Sequence, residues 1–230
     1  MNSSAVTSLS PREAIADVAV KLFSEHGYTG TTMRDIAKAV GILPGSLYAH
    51  IDSKDQLLLE IVSEGISRFL GIEGELKGTR ASAIDQLRTA IRWHMSVVAE
   101  DPQRTLVVFH QWRFLEEPNR SKAVVMRRRY AEAFFRIIDL GKASGEFSPA
   151  LDTRVAVFGV LGALNWVPEW FSPNGAMTAS EIAERLADTL IRGLCAGPTW
   201  NGAMRSPSAA EPAATQAKSR GKKTTRKPPR

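Results

Sequence analysis

Residues 32–54 contain two short stretches in which apolar residues recur at helical spacing, one on each side of Gly41. This pattern predicts a helical hairpin. The apolar face of the first stretch ends directly before Gly41, where a helix end favours a residue in the left-handed conformation. The second stretch is apolar on its inner side, and its outer side offers hydrogen-bonding groups at Gly45, Ser46, Tyr48 and His50. This layout is typical of a helix-turn-helix that binds DNA. Taken alone, it also fits an ordinary hairpin in an all-helical core.

The periodicity of the rest of the chain is helical as well and predicts an all-α protein. We expect a disordered segment at 1–9, a DNA-binding head at 10–71 with its motif at about 33–52, and a larger helical domain at 80–197. The predicted helices cover about 11–27, 54–70, 82–100, 103–117, 120–143, 153–169 and 179–195.

The net charge of +6 does not indicate a basic folded body, because it comes from the end of the chain. Residues 205–230 hold eight lysines and arginines and one glutamate, a net +7, so the other 204 residues carry a net charge of −1. Large apolar residues are almost absent after Gly197, so we expect a disordered basic tail at 198–230. The tail would either add non-specific, salt-sensitive DNA affinity or serve only to solubilise the protein.

Several functional classes have little support in the sequence. The single cysteine, Cys195, excludes an intramolecular disulfide and a cysteine-clustered metal site. No apolar run reaches the ~18–20 residues of a membrane helix, and the N-terminus lacks a signal peptide, so we expect a cytoplasmic protein. Nucleophile motifs, glycine-rich phosphate loops and metal-ligand spacings are missing, so no catalytic residue, metal site or cofactor is predicted. An enzyme that uses His94 or His110 with a nearby carboxylate is a weaker alternative.

Several separate pieces of residues 11–71 resemble the N-terminal domain of the TetR/AcrR family of transcriptional regulators. They are A-x-x-L-F-x-x-x-G-Y at Ala19 to Tyr28, T-T-M-R-D-I-A at Thr31 to Ala37, and G-x-L-Y-x-H at Gly45 to His50, followed by S-K-D-x-L at Ser53 to Leu57. The resemblance implies a homodimeric transcriptional repressor that binds an inverted-repeat operator in double-stranded DNA and is released by a hydrophobic small molecule. A non-specific, nucleoid-type DNA-binding protein led by the basic tail is the alternative.

The resemblance also assigns DNA contacts by position. The expected phosphate contacts are Thr32, Tyr48, His50 and Lys54. The expected groove-facing residues are Arg34, Pro44, Gly45, Ser46 and Leu47, and Thr31 and Leu43 complete the interface. Physical chemistry agrees for Lys54, because an ammonium in the first turn of a helix adds to the free N–H groups that bind anions there.

The C-terminal half resembles one branch of the same family. N-W-x-x-x-W-F-x-P-x-G at Asn165 to Gly175 and T-x-x-E-I-A at Thr178 to Ala183 are similar to regulators of fatty-acid, steroid and aromatic-acid breakdown. The resemblance implies a hydrophobic acid or its coenzyme A thioester as the inducer. We also expect the last two helices, at about 153–169 and 179–195, to form a four-helix dimer interface with their symmetry mates, since Gly159, Gly162 and Ala163 allow close approach.

Aromatic residues cluster between 93 and 170 with a few polar groups among them, which predicts a small-molecule cavity. The candidate ligand-binding residues are Trp93, His94, Phe109, Trp112, Arg113, Phe134, Asn165 and Trp166. Core packing is the alternative for each of them. Trp112 and Asn165 are the strongest candidates, since a buried indole or amide needs a hydrogen-bond partner. The operator, the regulated genes, the inducer and the choice between repression and activation stay open.

Overall fold

A computed structural model describes residues 10–195, and all regular secondary structure in this range is helical. The all-α prediction is therefore confirmed, whereas the predicted disordered segments 1–9 and 198–230 lie outside the described residues. No helix in residues 10–195 is long and apolar enough to span a membrane. The helices are α1 Pro11–Gly30, α2 Met33–Val40, α3 Pro44–Tyr48, α4 Lys54–Leu70, α5 Ile72–Leu76, α6 Ala83–Glu100, α7 Pro102–His110, α8 Asn119–Ser144, α9 Thr153–Asn165 and α10 Ala179–Leu194, with 3-10 helices Trp112–Phe114 and Val167–Glu169.

Local signals define the head. Capping boxes start α1 at Ser10 and α2 at Thr32, where each side chain accepts a hydrogen bond from the backbone three residues on. Gly41 ends α2 with φ of 82°, and its N–H donates to the carbonyl of Ala37 at 3.0 Å. A residue with a Cβ would be strained in this left-handed conformation, so Gly41 fixes the turn between α2 and α3.

One apolar core continues from the head into the larger domain. Helix α4 packs against α7 and α8, α1 packs against α7, and α10 packs against α6. The buried side chains form a single cluster from Ile15 in α1 to Leu194 in α10. The head therefore has direct contacts with the helices that surround the cavity described below, and the predicted domain boundary between 71 and 80 stays a prediction.

Three predicted helix ends differ from the structure. Gly27 adopts φ of 74° and kinks α1, but helical structure resumes and continues to Gly30. The helix predicted at 103–117 ends at His110, because the next hydrogen bonds are of the shorter 3-10 type. The helix predicted at 153–169 ends at Asn165, since Pro168 lacks the N–H that would continue it.

Helix α9 leaves part of its apolar surface uncovered in the single chain. Val155 is 70% exposed and Phe158 is 52% exposed, and Trp166 directly after the helix is 59% exposed. A Cβ added at Gly159 or Gly162 would meet no atom within 4 Å. This surface, called the α9 face below, leaves room for another helix to approach closely.

Candidate DNA-binding surface and ligand cavity

The outer side of α3 is an exposed surface of mixed apolar and hydrogen-bonding groups. Leu43 is 76% exposed and Tyr48 is 55% exposed, and the other exposed members are Pro44, Gly45, Ser46 and His50. These six residues, called the recognition surface, were all expected in the DNA interface. Their exposure is compatible with that role, which stays a prediction.

Two further candidates lie at the start of α2. Arg34 is exposed and extends the same region, as does Thr32. The Thr32 hydroxyl already donates to the carboxylate of Asp35 at 2.6 Å and accepts from the Asp35 N–H at 3.2 Å. A phosphate contact from Thr32 would therefore share the residue with its capping role.

The structure buries the side chains of Leu47 and Thr31, two residues expected in the DNA interface. The Leu47 side chain is fully buried because it belongs to the inner face of α3, where it packs in the core of the head. Thr31 is 1% exposed, and its hydroxyl donates to the carbonyls of Gly27 at 3.0 Å and Leu22 at 3.3 Å. Both side chains contribute to the core of the head, and the expected DNA contacts of these two residues stay predictions.

Lys54 is engaged inside the head. Its ammonium donates to the carbonyls of Tyr28 and Thr31, each at 2.9 Å, and lies 4.2 Å from the centroid of the Tyr28 ring. Burial lowers the pKa of Lys54. Since two of its three donors hold the end of α1 against the start of α4, the geometry favours a structural role over the expected phosphate contact.

A cavity of about 650 Å³ lies in the larger domain. Its walls come from α4, α7, α8, α9 and the 3-10 helix Trp112–Phe114. Most of the lining is apolar or aromatic, including Ile66, Phe69, Phe109, Phe135, Phe158 and Leu161. A cavity of this size and character is suited to a small organic molecule.

The structure brings three of the eight predicted ligand residues to this cavity, namely Phe109, Trp112 and Asn165. The other five are absent from its lining. Trp93 instead donates its indole N–H to the carbonyl of Arg68 at 3.1 Å, and Phe134 is fully buried in the core. Arg113 and Trp166 are exposed and do not belong to the lining, although each directly follows a lining residue.

His94 is the fifth predicted ligand residue that is absent from the lining, and it lies behind the cavity wall. Burial lowers the pKa of His94 to about 3 and raises the pKa of Tyr130, so the imidazole is neutral and the phenol keeps its proton. The Tyr130 hydroxyl donates to Nδ1 of His94 at 2.8 Å, and Nε2 donates to the carbonyl of Leu164 at 3.2 Å. Tyr130 lines the cavity, so His94 positions a lining residue without reaching the cavity itself.

The main polar group of the cavity, Arg127, was missed from sequence. Its guanidinium carbon lies 4.7 Å from the centroid of the Trp112 ring and 5.5 Å from that of Phe109. Burial, assisted by the charge of Arg113, lowers the pKa of Arg127 to about 10. Arg127 is the first of three consecutive arginines, a pattern typical of a solvated helix face, so the sequence carries no signal that singles it out.

A short stretch connects the cavity with the head. In residues 111–119, called the connecting segment, Phe114 stacks on the Tyr28 ring with centroids 6.0 Å apart and an interplanar angle of 16°. The side chain of Gln111 accepts a hydrogen bond from the Tyr28 N–H at 3.2 Å. At the other end of the segment, the carboxylate of Asp55 accepts from the Glu116 N–H at 2.9 Å and from the Asn119 amide at 2.6 Å.

Comparisons with known proteins identify both halves of the chain. Residues 15–61 match the family model of bacterial regulatory proteins of the tetR family, and residues 80–194 match the tetracyclin repressor-like C-terminal domain. The HTH-type transcriptional repressor KstR2 of Rhodococcus jostii (strain RHA1) is 29% identical over 185 residues, which cover 80% of this chain and 90% of KstR2.

Two solved structures have similar folds. The TetR family transcriptional regulator PfmR from Thermus thermophilus is 30% identical with a TM-score of 0.70, over 77% of this chain and 97% of PfmR. AibR, solved in complex with isovaleryl coenzyme A and operator DNA, is 26% identical with a TM-score of 0.70, over 80% of this chain and 98% of AibR. The resemblance seen in the sequence motifs is confirmed, and this chain belongs to the TetR family of bacterial regulatory proteins.

Proposed function

We propose that this protein is a homodimeric repressor that binds an inverted-repeat DNA operator and is released when a hydrophobic small molecule occupies the cavity. One observation carries the proposal. The connecting segment contacts the head through Phe114, while Trp112 in the same segment lines the cavity. KstR2 is a transcriptional repressor, and AibR binds both an acyl coenzyme A and operator DNA, which supports the same combination here.

The recognition surface accounts for the DNA contact in this proposal. Tyr48, Ser46 and His50 offer hydrogen-bonding groups, and the apolar groups of Leu43 and Pro44 suit thymine methyl groups. Residues 1–204 carry a net charge of −1, so specific contacts rather than a broad positive field must supply the affinity of the folded part.

The α9 face supports the proposed dimer. Val155, Phe158 and Trp166 expose apolar surface next to glycines that leave room for a neighbouring helix. Covering such a patch with a second chain removes apolar surface from water and so stabilises the assembly. A second copy packed by a two-fold axis would cover α9 and α10. Two-fold symmetry presents two α3 helices to successive major grooves, which requires an inverted-repeat operator.

The connecting segment explains how the ligand affects DNA binding. A molecule in the cavity contacts Trp112 and thereby favours particular positions of the segment. Because Phe114 and Gln111 hold Tyr28 at the end of α1, each position favours a different orientation of the head. The ligand then shifts the population away from the orientation that fits both halves of the operator, provided that it binds the two states with different affinity.

Selection of genomic DNA fragments with the purified full chain tests this function. We expect an inverted repeat to be enriched and to bind two chains, and the genes beside it to indicate the ligand class. Repression is then measured with a reporter placed behind the recovered operator. Enrichment without any common sequence would contradict the proposal and would favour a non-specific DNA-binding protein.

A further inference from the structure

Two polar atoms of cavity-lining residues lack a hydrogen-bond partner among residues 10–195. They are Nη1 of Arg127 and Oδ1 of Asn165, and both atoms are buried. Both residues line the cavity, one from α8 and the other from the end of α9. Buried polar atoms without a partner are costly and therefore uncommon, so this pair marks the positions where a bound molecule completes the hydrogen bonding.

The surroundings of Arg127 favour an anionic partner. The faces of Trp112 and Phe109 flank the guanidinium, which leaves its edge as the hydrogen-bonding side. A carboxylate fits this edge with two parallel hydrogen bonds. Asn165 differs, because its free atom is an amide oxygen, which accepts a hydrogen bond from a hydroxyl or an N–H group.

Charge and volume limit the anion. Among the charged residues of the lining, Arg128 and Glu132 are exposed to solvent, so Arg127 is the charge held inside the cavity, and a single carboxylate pairs with it. A volume of about 650 Å³ holds roughly 20 non-hydrogen atoms, at the ~30 Å³ that each occupies in liquid water. A coenzyme A group is far larger than this volume, so a thioester would have to place that group outside the cavity, whereas a free acid of this size fits inside it.

We propose that the cavity binds a monoanionic amphipathic acid whose carboxylate pairs with Arg127 and whose hydroxyl or N–H group donates to Asn165. Its hydrocarbon part packs along Phe69, Phe158 and Leu161. The proposal rests on the function given above and names the chemical class of its ligand.

Isothermal titration calorimetry of the full chain tests the carboxylate. The probes are ω-hydroxylaurate, its methyl ester, laurate and lauroyl coenzyme A. We expect ω-hydroxylaurate to bind best and its methyl ester to bind about 10-fold to 100-fold more weakly, since esterification removes the charge-assisted hydrogen bonds. Laurate lacks the donor for Asn165 and is expected to bind about 2-fold to 10-fold more weakly than the hydroxy acid.

Variants locate the two contacts. Arg127→Met should weaken ω-hydroxylaurate binding about 10-fold or more while leaving the methyl ester little changed. Arg129→Met is the matched control, because Arg129 lies on the same helix but is exposed and paired with Glu73 at 2.8 Å. Asn165→Leu should remove the preference for the hydroxy acid over laurate. Thermal unfolding checks folding, and Arg127→Met should unfold at the same or a higher temperature because it removes an unpartnered buried charge.

Four results would overturn the proposal: equal affinity for the acid and its ester, equal effects of Arg127→Met and Arg129→Met, tighter binding of lauroyl coenzyme A than of either acid, and no binding of any probe. Calorimetry needs no DNA, so these results are independent of operator binding. Failure of the wild-type chain to bind any operator would contradict the proposed function and leave the calorimetric result standing.

Discussion

The buried imidazole of His94 predicts a specific loss of stability in mild acid. His94 is 0% exposed, and burial lowers its pKa from 6.5 to about 3 in the folded protein. Below pH 6.5 the unfolded chain therefore binds a proton that the folded chain does not, so the free energy of unfolding falls as pH falls. The slope approaches ~1.4 kcal/mol per pH unit, which amounts to about 2 kcal/mol between pH 7 and pH 5, and the loss continues toward pH 3.

Urea unfolding at fixed protein concentration, followed by circular dichroism between pH 5 and pH 7, measures this loss. His94→Gln keeps one donor and one acceptor for Leu164 and Tyr130 but does not titrate. We expect the variant to be less stable at pH 7 and to lose about 2 kcal/mol less than the wild type on acidification. His26→Gln, which replaces an exposed histidine, is the matched substitution. Parallel pH dependence of the wild type and His94→Gln would refute the assignment of a neutral buried imidazole.

Three other changes to the chain, two substitutions and one deletion, test packing, coupling and the tail. Gly65→Ala should destabilise the protein by about 1–3 kcal/mol in thermal unfolding, because the new Cβ would lie 2.3 Å from Cγ2 of the fully buried Val108. Gly74→Ala is the control. Its new Cβ would meet open space, so this variant should be as stable as the wild type or more stable. Phe114→Ala should leave the operator affinity without ligand nearly unchanged. It should reduce the change in operator affinity that the ligand causes, measured by fluorescence anisotropy. An unchanged ligand effect would exclude Phe114 from the coupling. Deletion of residues 205–230 should weaken DNA binding modestly and reduce its salt dependence, and complete loss of operator binding would favour the non-specific alternative.

The head was predictable from sequence because local rules determine it. The capping boxes at Ser10 and Thr32, and the left-handed Gly41, each follow from residues within one helical turn of each other. Lys54 shows where local rules end. Its position at a helix start favoured a phosphate contact, but tertiary structure places its ammonium on the carbonyl of Tyr28, 26 residues away.

The cavity was predictable only as a tendency. The aromatic cluster indicated that a cavity exists in the C-terminal half, but not which rings face it. Trp93 and Phe134 have the same composition signal as Trp112 and Phe109, yet only the last two line the cavity. Arg127 was missed because the burial of one arginine in a run of three depends on how α8 packs against its neighbours.

The most direct test of the central claim is the affinity of the Tyr48→Ala variant for the recovered operator, measured by fluorescence anisotropy. Tyr48 is exposed on α3 and contributes twice in a dimer, so at about 1–2 kcal/mol per contact the dissociation constant should rise on the order of 30-fold to 1,000-fold. Val125→Ala, which alters an exposed side chain of α8, should bind as the wild type does. The helical content and the oligomeric state should be the same in the wild type and both variants. Unchanged operator affinity of a folded Tyr48→Ala variant would contradict DNA recognition by α3.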